Sequence, residues 1–249
     1  MNNQTTIEKM KQMRLTAMAE TYHNSLQNNI HKDYTLDQYI ALLVDQEWEH
    51  RHNKRIENLI SSAGFRQSAS IRDIDYTANR TLDKTVFERL ALMDFIKSRE
   101  NIIITGATGT GKSYLAQALG HNACLLQHKT MYFNFTRLTD QIKLAKLEGT
   151  YLKLMKKIEK TDLLILDDFG LTSFDEQIRN ALMDIVEMKY DKSSMIIAAQ
   201  IPVKCWHETI GEGTIADAIL DRLVHSSHRI ELTGQSMRKN KMDKTQNNL

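Results

Sequence analysis

The chain has 249 residues, enough for one large or two small domains with a substantial core. Hydrophobic residues make up 41% and charged residues 26%, and the net charge of +2 excludes a uniformly cationic protein while leaving room for a local basic patch. No apolar run approaches the ~20 residues of a membrane span, the start MNNQTTIEKM lacks a signal peptide's apolar stretch, and Cys124 and Cys205 have neither metal-ligand nor secreted-framework spacing; a cytoplasmic protein without a membrane partner is expected.

Residues 1–75 contain Gly64 as their one glycine and no proline. Thr5 and Glu8 have the spacing of a capping box, which predicts a helix to about Leu26. The segment NNIHKDY breaks the pattern. Thr35 and Gln38 form a second capping box, and a longer helix is expected to about Ser62, ended by Gly64. This third reads as a small helical module. Its segment EWEHRHNKR mixes signs, as a solvated face or a DNA contact would. His50 and His52 are two apart and make a poor metal pair on a helix.

Residues 66–100 link the module to the rest. IRDIDYTANR alternates as an extended segment near a nucleotide base would, and TVFERLALMDFIKSRE has helical spacing. From residue 101 the pattern alternates. Strands are expected at 101–105, 130–135, 162–168, 194–200 and 228–232, with helices at about 112–127, 136–160, 175–190 and 214–225. The strands are apolar runs, so the sheet is expected to be parallel and covered on both faces, a doubly wound α/β fold of about five strands.

Between the first strand and its helix lies GATGTGKS: Gly106, Ala107, Thr108, Gly109, Thr110, Gly111, Lys112 and Ser113. Strand, glycine loop and helix in this order form a P-loop. Its N–H groups would face one concavity, the helix end adds positive potential, Lys112 would reach the β- and γ-phosphates of a nucleotide, and the Ser113 hydroxyl would ligate the Mg²⁺ that travels with them. The strand LLILDD brings Asp167 and Asp168 to the same sheet edge. Asp167 is expected to hold Mg²⁺ through water, and Asp168 to orient or deprotonate the attacking water.

GATGTGKS, LLILDD, the Gln-ended strand IIAAQ, DAILDRL and GQSMR, in that order, resemble an AAA+ ATPase. More narrowly, the set is similar to the IstB-like transposition helper ATPases, relatives of the DnaC-type helicase loaders. The resemblance spans most of the chain, and the ordered set is far more specific than the P-loop alone. It implies a P-loop AAA+ core with a five-stranded parallel sheet, preceded by a small all-helical domain: residues 1–75 for DNA or transposase contact, 76–240 for the ATPase, and 241–249 as a disordered polar tail. It implies that Gln200 is the polar sensor, Arg222 the arginine finger reaching a neighbouring subunit's nucleotide, and Arg238 the second sensor. Arg229 competes as the finger, and Arg222 also has Asp217 and Asp221 within pairing reach on its own helix. Many AAA+ proteins have Glu at the Asp168 position, and the short chain after Arg238 implies a reduced or absent helical lid.

Residues 136–160 carry Arg137 and Lys143, Lys146, Lys153, Lys156, Lys157 and Lys160 against Asp140, Glu148 and Glu159, with Gly149 dividing two helices. Lysines without interleaved aromatics favour phosphate contact, hence sequence-tolerant DNA binding, although a solvated face reads the same way. The resemblance places a DNA-tracking insert here. The combined expectation is an ATPase that assembles as a homo-oligomer on duplex DNA and recruits or stimulates an insertion-sequence transposase. A helicase loader, a small-molecule P-loop kinase and a DNA-binding module that uses ATP only as a glue are the alternatives.

Overall fold

The computed structural model describes residues 3–78, 80–234 and 236–237. The chain divides into two compact units, residues 1–58 and 59–249. The first is helical: α1 (Asn3–Gln12), α2 (Thr16–Gln27) and most of α3 (Leu36–Ala63). The expected single helix to Leu26 is broken. Arg14 adopts a left-handed φ of 60°, Leu15 N–H donates to the Met10 carbonyl and Arg14 N–H to the Lys11 carbonyl. That is a Schellman ending made without glycine, which is why composition does not announce it. The Thr35–Gln38 capping box is present, with Thr35 N–H on Gln38 Oε1 at 3.0 Å and Gln38 N–H on Thr35 Oγ1 at 3.4 Å. Gly64 follows α3 at φ 78°.

The second unit continues through α4 (Lys84–Leu90), α5 (Asp94–Lys97), β1 (Asn101–Gly106), α6 (Lys112–Leu125), β2 (Thr130–Asn134), α7 (Phe135–Leu147), α8 (Tyr151–Glu159) and β3 (Leu163–Phe169). It closes with α9 (Glu176–Lys189), β4 (Ser194–Ala199), α10 (Trp206–Ile210), α11 (Gly213–Val224) and β5 (Ser227–Leu232). Ala69 and Ile74 are buried in this unit's core, so the packing division falls earlier than the expected line at 75.

The sheet is parallel throughout, in the order β2-β3-β4-β1-β5. Because successive strand residues point to opposite faces, the apolar runs feed two cores. Ile103, Leu164, Leu166 and Ile197 pack under α7 to α11, while Ile102, Ile104, Ile165 and Ile196 pack under α4, α5 and α6. This is the doubly wound arrangement the apolar runs predicted. The carboxyl ends of β1, β3 and β4 lie side by side, where such sheets carry their ligands.

Candidate functional site

The P-loop leaves β1 and enters α6 as expected. Gly106 sits at φ 150°, and a Cβ there would collide with the Leu232 carbonyl oxygen. Gly111 caps α6 at φ 100°, a conformation that costs any L-residue ~1–2 kcal/mol. Thr110 Oγ1 and Lys112 Nζ both donate to the Ala107 carbonyl, at 2.9 and 2.8 Å, drawing the loop into a tight cup. Lys112 is buried. The first N–H groups of α6 stay available to an anion.

Opposite the cup stands Asp167, 1% exposed. Ser113 Oγ donates to its Oδ1 at 2.9 Å, the Asp168 N–H to the same oxygen at 3.0 Å, and the Tyr132 hydroxyl to its Oδ2 at 2.7 Å. Burial pushes the Asp167 carboxyl above its ordinary value, the Asp168 charge adds to this, and the three donors pull it back. Burial and then the Asp167 carboxylate push the Tyr132 phenol well up, so it remains a donor throughout the physiological range. A hydroxyl and a carboxylate 2.9 Å apart are hard oxygen donors that fit Mg²⁺.

Asp168 adopts φ 57°, and the β3–β4 register shifts between Leu166 and Phe169. This bulge turns its side chain toward β2, where Asn134 Nδ2 donates to Oδ2 at 2.8 Å and Arg66 lies 4.0 Å from the same oxygen. Among the described residues, Oδ1 accepts no hydrogen bond. Gln200, just past β4, faces the P-loop: Thr108 Oγ1 donates to its Oε1 at 2.8 Å.

Two further segments hold the loop. Arg80 donates to the Thr110 carbonyl at 2.9 Å and the Asp75 carbonyl at 3.1 Å. Met237, within GQSMR, lies against the loop too, its N–H donating to the Gly109 carbonyl at 2.9 Å. Arg238 itself is outside the described residues. No motif in the sequence marks Tyr132, Asn134, Arg66 or Arg80. Tyr132 and Asn134 sit two apart on β2, a period-2 signal that points at β3 only once the strand order is known.

Arg222 lies at the other end of the sheet. The Asn101 side chain, at the start of β1, donates to its carbonyl at 3.3 Å. The P-loop begins at Gly106, the sixth residue of β1, roughly 17 Å away. Arg222 pairs with Glu187 at 2.9 Å, donates to the Ala218 carbonyl at 3.0 Å and lies 5.7 Å over the Tyr190 ring. Asp217 and Asp221 are not its partners among the described ion pairs; Asp217 pairs with His207. Arg229 is exposed in the middle of the edge strand β5.

The lysines of α7 and α8 divide. Lys143 pairs with Asp175 at 2.7 Å, and Lys146 donates to the Gln177 carbonyl at 3.4 Å, so both are tied to the start of α9. Lys153, Lys156, Lys157 and Lys160 line an open concavity of about 490 Å³ together with Lys129 and Leu152. The end of α8 is fixed from below by Lys189, 1% exposed, which donates to the Thr161 carbonyl and hydroxyl at 2.7 Å each and to the Glu159 carbonyl at 3.5 Å. Among the described residues no helix is long and apolar enough to cross a membrane, and no cluster of His, Cys, Asp and Glu would hold a metal unaided.

Residues 8–245 match the family model described as IstB-like ATP binding protein. An insertion sequence ATP-binding protein of Sinorhizobium fredii is 40% identical over 240 residues, covering 96% of this chain and 98% of its own. The ATP-binding protein of insertion sequence IS1162 from Pseudomonas fluorescens is 34% identical over 203 residues, covering 81% and 88%. The crystal structure of DnaI superposes with a TM-score of 0.57 at 18% identity, over 71% of this chain and 94% of that one. The replication initiator DnaA bound to AMPPCP and single-stranded DNA gives 0.56 at 16% identity, over 73% and 56%. These likenesses show that the chain has a P-loop AAA+ fold.

Proposed function

Because the chain belongs to the IstB-like ATP binding proteins, we propose that it is an ATP-hydrolysing transposition helper whose copies assemble on duplex DNA and recruit or stimulate a cognate insertion-sequence transposase. It would work in the cytoplasm. The second unit would form the ATPase and the helical first unit would meet DNA or transposase; the tail 241–249 lies outside the described residues.

The observation that carries this reading is the Ser113–Asp167–Tyr132 chain beside the Lys112 cup. Lys112 and the loop N–H groups neutralise the β- and γ-phosphates. Ser113 and Asp167 would hold Mg²⁺, which when bound offsets further phosphate charge. Asn134 and Arg66 occupy Oδ2 of Asp168, leaving Oδ1 to accept a hydrogen bond from the attacking water. The water oxygen bonds to the γ-phosphorus, the bond to the β-phosphate oxygen breaks, and the water's proton leaves toward Asp168. Gln200 would position the water or the γ-phosphate. Arg222 is too far to serve its own chain's nucleotide and would serve a neighbour's.

Phosphate release by the full chain with Mg²⁺, ATP and duplex DNA tests the proposal. Lys112→Ala is expected to abolish nucleotide binding. Asp168→Asn is expected to bind ATP normally and turn over at least 10²-fold more slowly. Normal turnover by either variant would remove the site from the account. Capture of a replicative helicase rather than a transposase would make the protein a loader.

A further inference from the structure

We infer that Gln117 is a positioning residue for hydrolysis: it fastens the turn after α3 to the P-loop helix, and so fixes where the Arg66 guanidinium meets Asp168 and Tyr132. The inference rests on Asp168 as the proposed acceptor of the attacking water and names a residue on which that role depends.

Gln117 lies one helical turn beyond Ser113 on α6 and is 2% exposed. A buried amide needs partners at both ends. Its Nε2 donates to the Ser113 carbonyl at 3.1 Å. Its Oε1 accepts the backbone N–H groups of Arg66 at 2.8 Å and Gln67 at 3.2 Å. Two consecutive N–H groups on one oxygen fix both the place and the direction of that stretch of backbone. Phe65 adds a second attachment: it packs on the side of Gly120 and against the rings of His121 and Tyr132, 6.3 Å between centroids in each case. The Arg66 side chain has less to hold it. It is 51% exposed, and its 4.0 Å approach to Asp168 is an ion pair of a kind that contributes ~0–1 kcal/mol. Such a pair is too weak to set its own geometry, so the direction of the guanidinium comes from the anchored backbone. It shares Asp168 Oδ2 with Asn134. It also lies beside the Tyr132 hydroxyl that donates to Asp167, where its charge opposes the upward push of burial and of Asp167 on that phenol. One guanidinium therefore adjoins the partners of both carboxylates, and one amide on α6 holds it there.

The test is phosphate release and equilibrium ATP binding by the full chain carrying Gln117→Met, which keeps the buried volume and loses the acceptor. At unchanged ATP affinity kcat should fall about 10-fold, less than the ~10²-fold that a 1 Å misplacement can cost. Where Gln117→Met does not fold, Gln117→Ala, which admits water to the two N–H groups, replaces it with the same expected loss. Gln117→Glu, which keeps the acceptor, should retain most of the rate. Arg66→Met should match Gln117→Met, and the double variant should fall no further, because residues of one network do not add. In an Asp168→Asn background neither substitution should lower turnover again. An unaltered kcat, a loss confined to ATP affinity, multiplied losses in the double variant, or a full further loss on top of Asp168→Asn overturns the inference while leaving the hydrolytic site intact. Normal turnover by Asp168→Asn itself overturns the reading beneath it.

Discussion

Replacing Tyr132 with Phe removes one oxygen and leaves the ring in its buried place. The lost contact is the 2.7 Å hydrogen bond to Asp167 Oδ2, whose donor is held protonated by burial and by Asp167 itself. A hydrogen bond to a charged group contributes ~1.5–3 kcal/mol. This one favours the ionised carboxylate, so Asp167 should titrate higher in the variant. Asp167 is already pushed up by burial, so the change would bring its titration closer to neutrality. The acid limb of kcat/KM for ATP should therefore move to higher pH, because that limb reports groups of the free enzyme. The alkaline side should change little. The assay is steady-state phosphate release from pH 5 to 9 at saturating magnesium. A uniform loss at every pH, with the acid limb in place, would show that Tyr132 acts through packing alone and would refute this account of Asp167.

If Arg222 serves a neighbour, Arg222→Ala should abolish turnover, yet mixing it with Lys112→Ala chains should restore part of it; mixtures as inactive as their components would refute action in trans. Lys189 should make stability pH-dependent. Burial depresses its folded pKa to about 8 from 10.5. The unfolded chain then binds the extra proton between those values, so stability should rise across pH 8 to 10.5, by ~3 kcal/mol at most. Denaturant midpoints for the unaltered chain minus those for Lys189→Met report it; a flat difference would show that Thr161 and Glu159 hold the ammonium charged throughout.

The elements that sequence revealed are those whose chemistry is contiguous. GATGTGKS states its own loop, and LLILDD states both a buried strand and where it ends. The strands are legible because burial on both faces leaves an uninterrupted apolar run, as in Ile102 to Ile104. What escaped depends on neighbours supplied by the fold. Tyr132 and Asn134 become partners of the aspartates only because β2 lies beside β3. Arg80 matters because its linker runs past Gly111 and Thr110. The lysines looked equivalent along the chain, but Asp175 and the Gln177 carbonyl, both near the start of α9, occupy two of them. The break at Arg14 lacked the glycine that would have marked it.

The last turn of α9 has two attachments. Glu187 and Lys189 are two residues apart and so point to opposite sides of their helix. One holds the Arg222 guanidinium, and the other is anchored beneath the end of α8. Such a short rod behaves like a rocker: pressure on the α8 end either tilts the turn that carries Glu187 or breaks the Lys189 anchorage. Displacement of α8 and release of the Arg222 guanidinium would thereby share a single pivot.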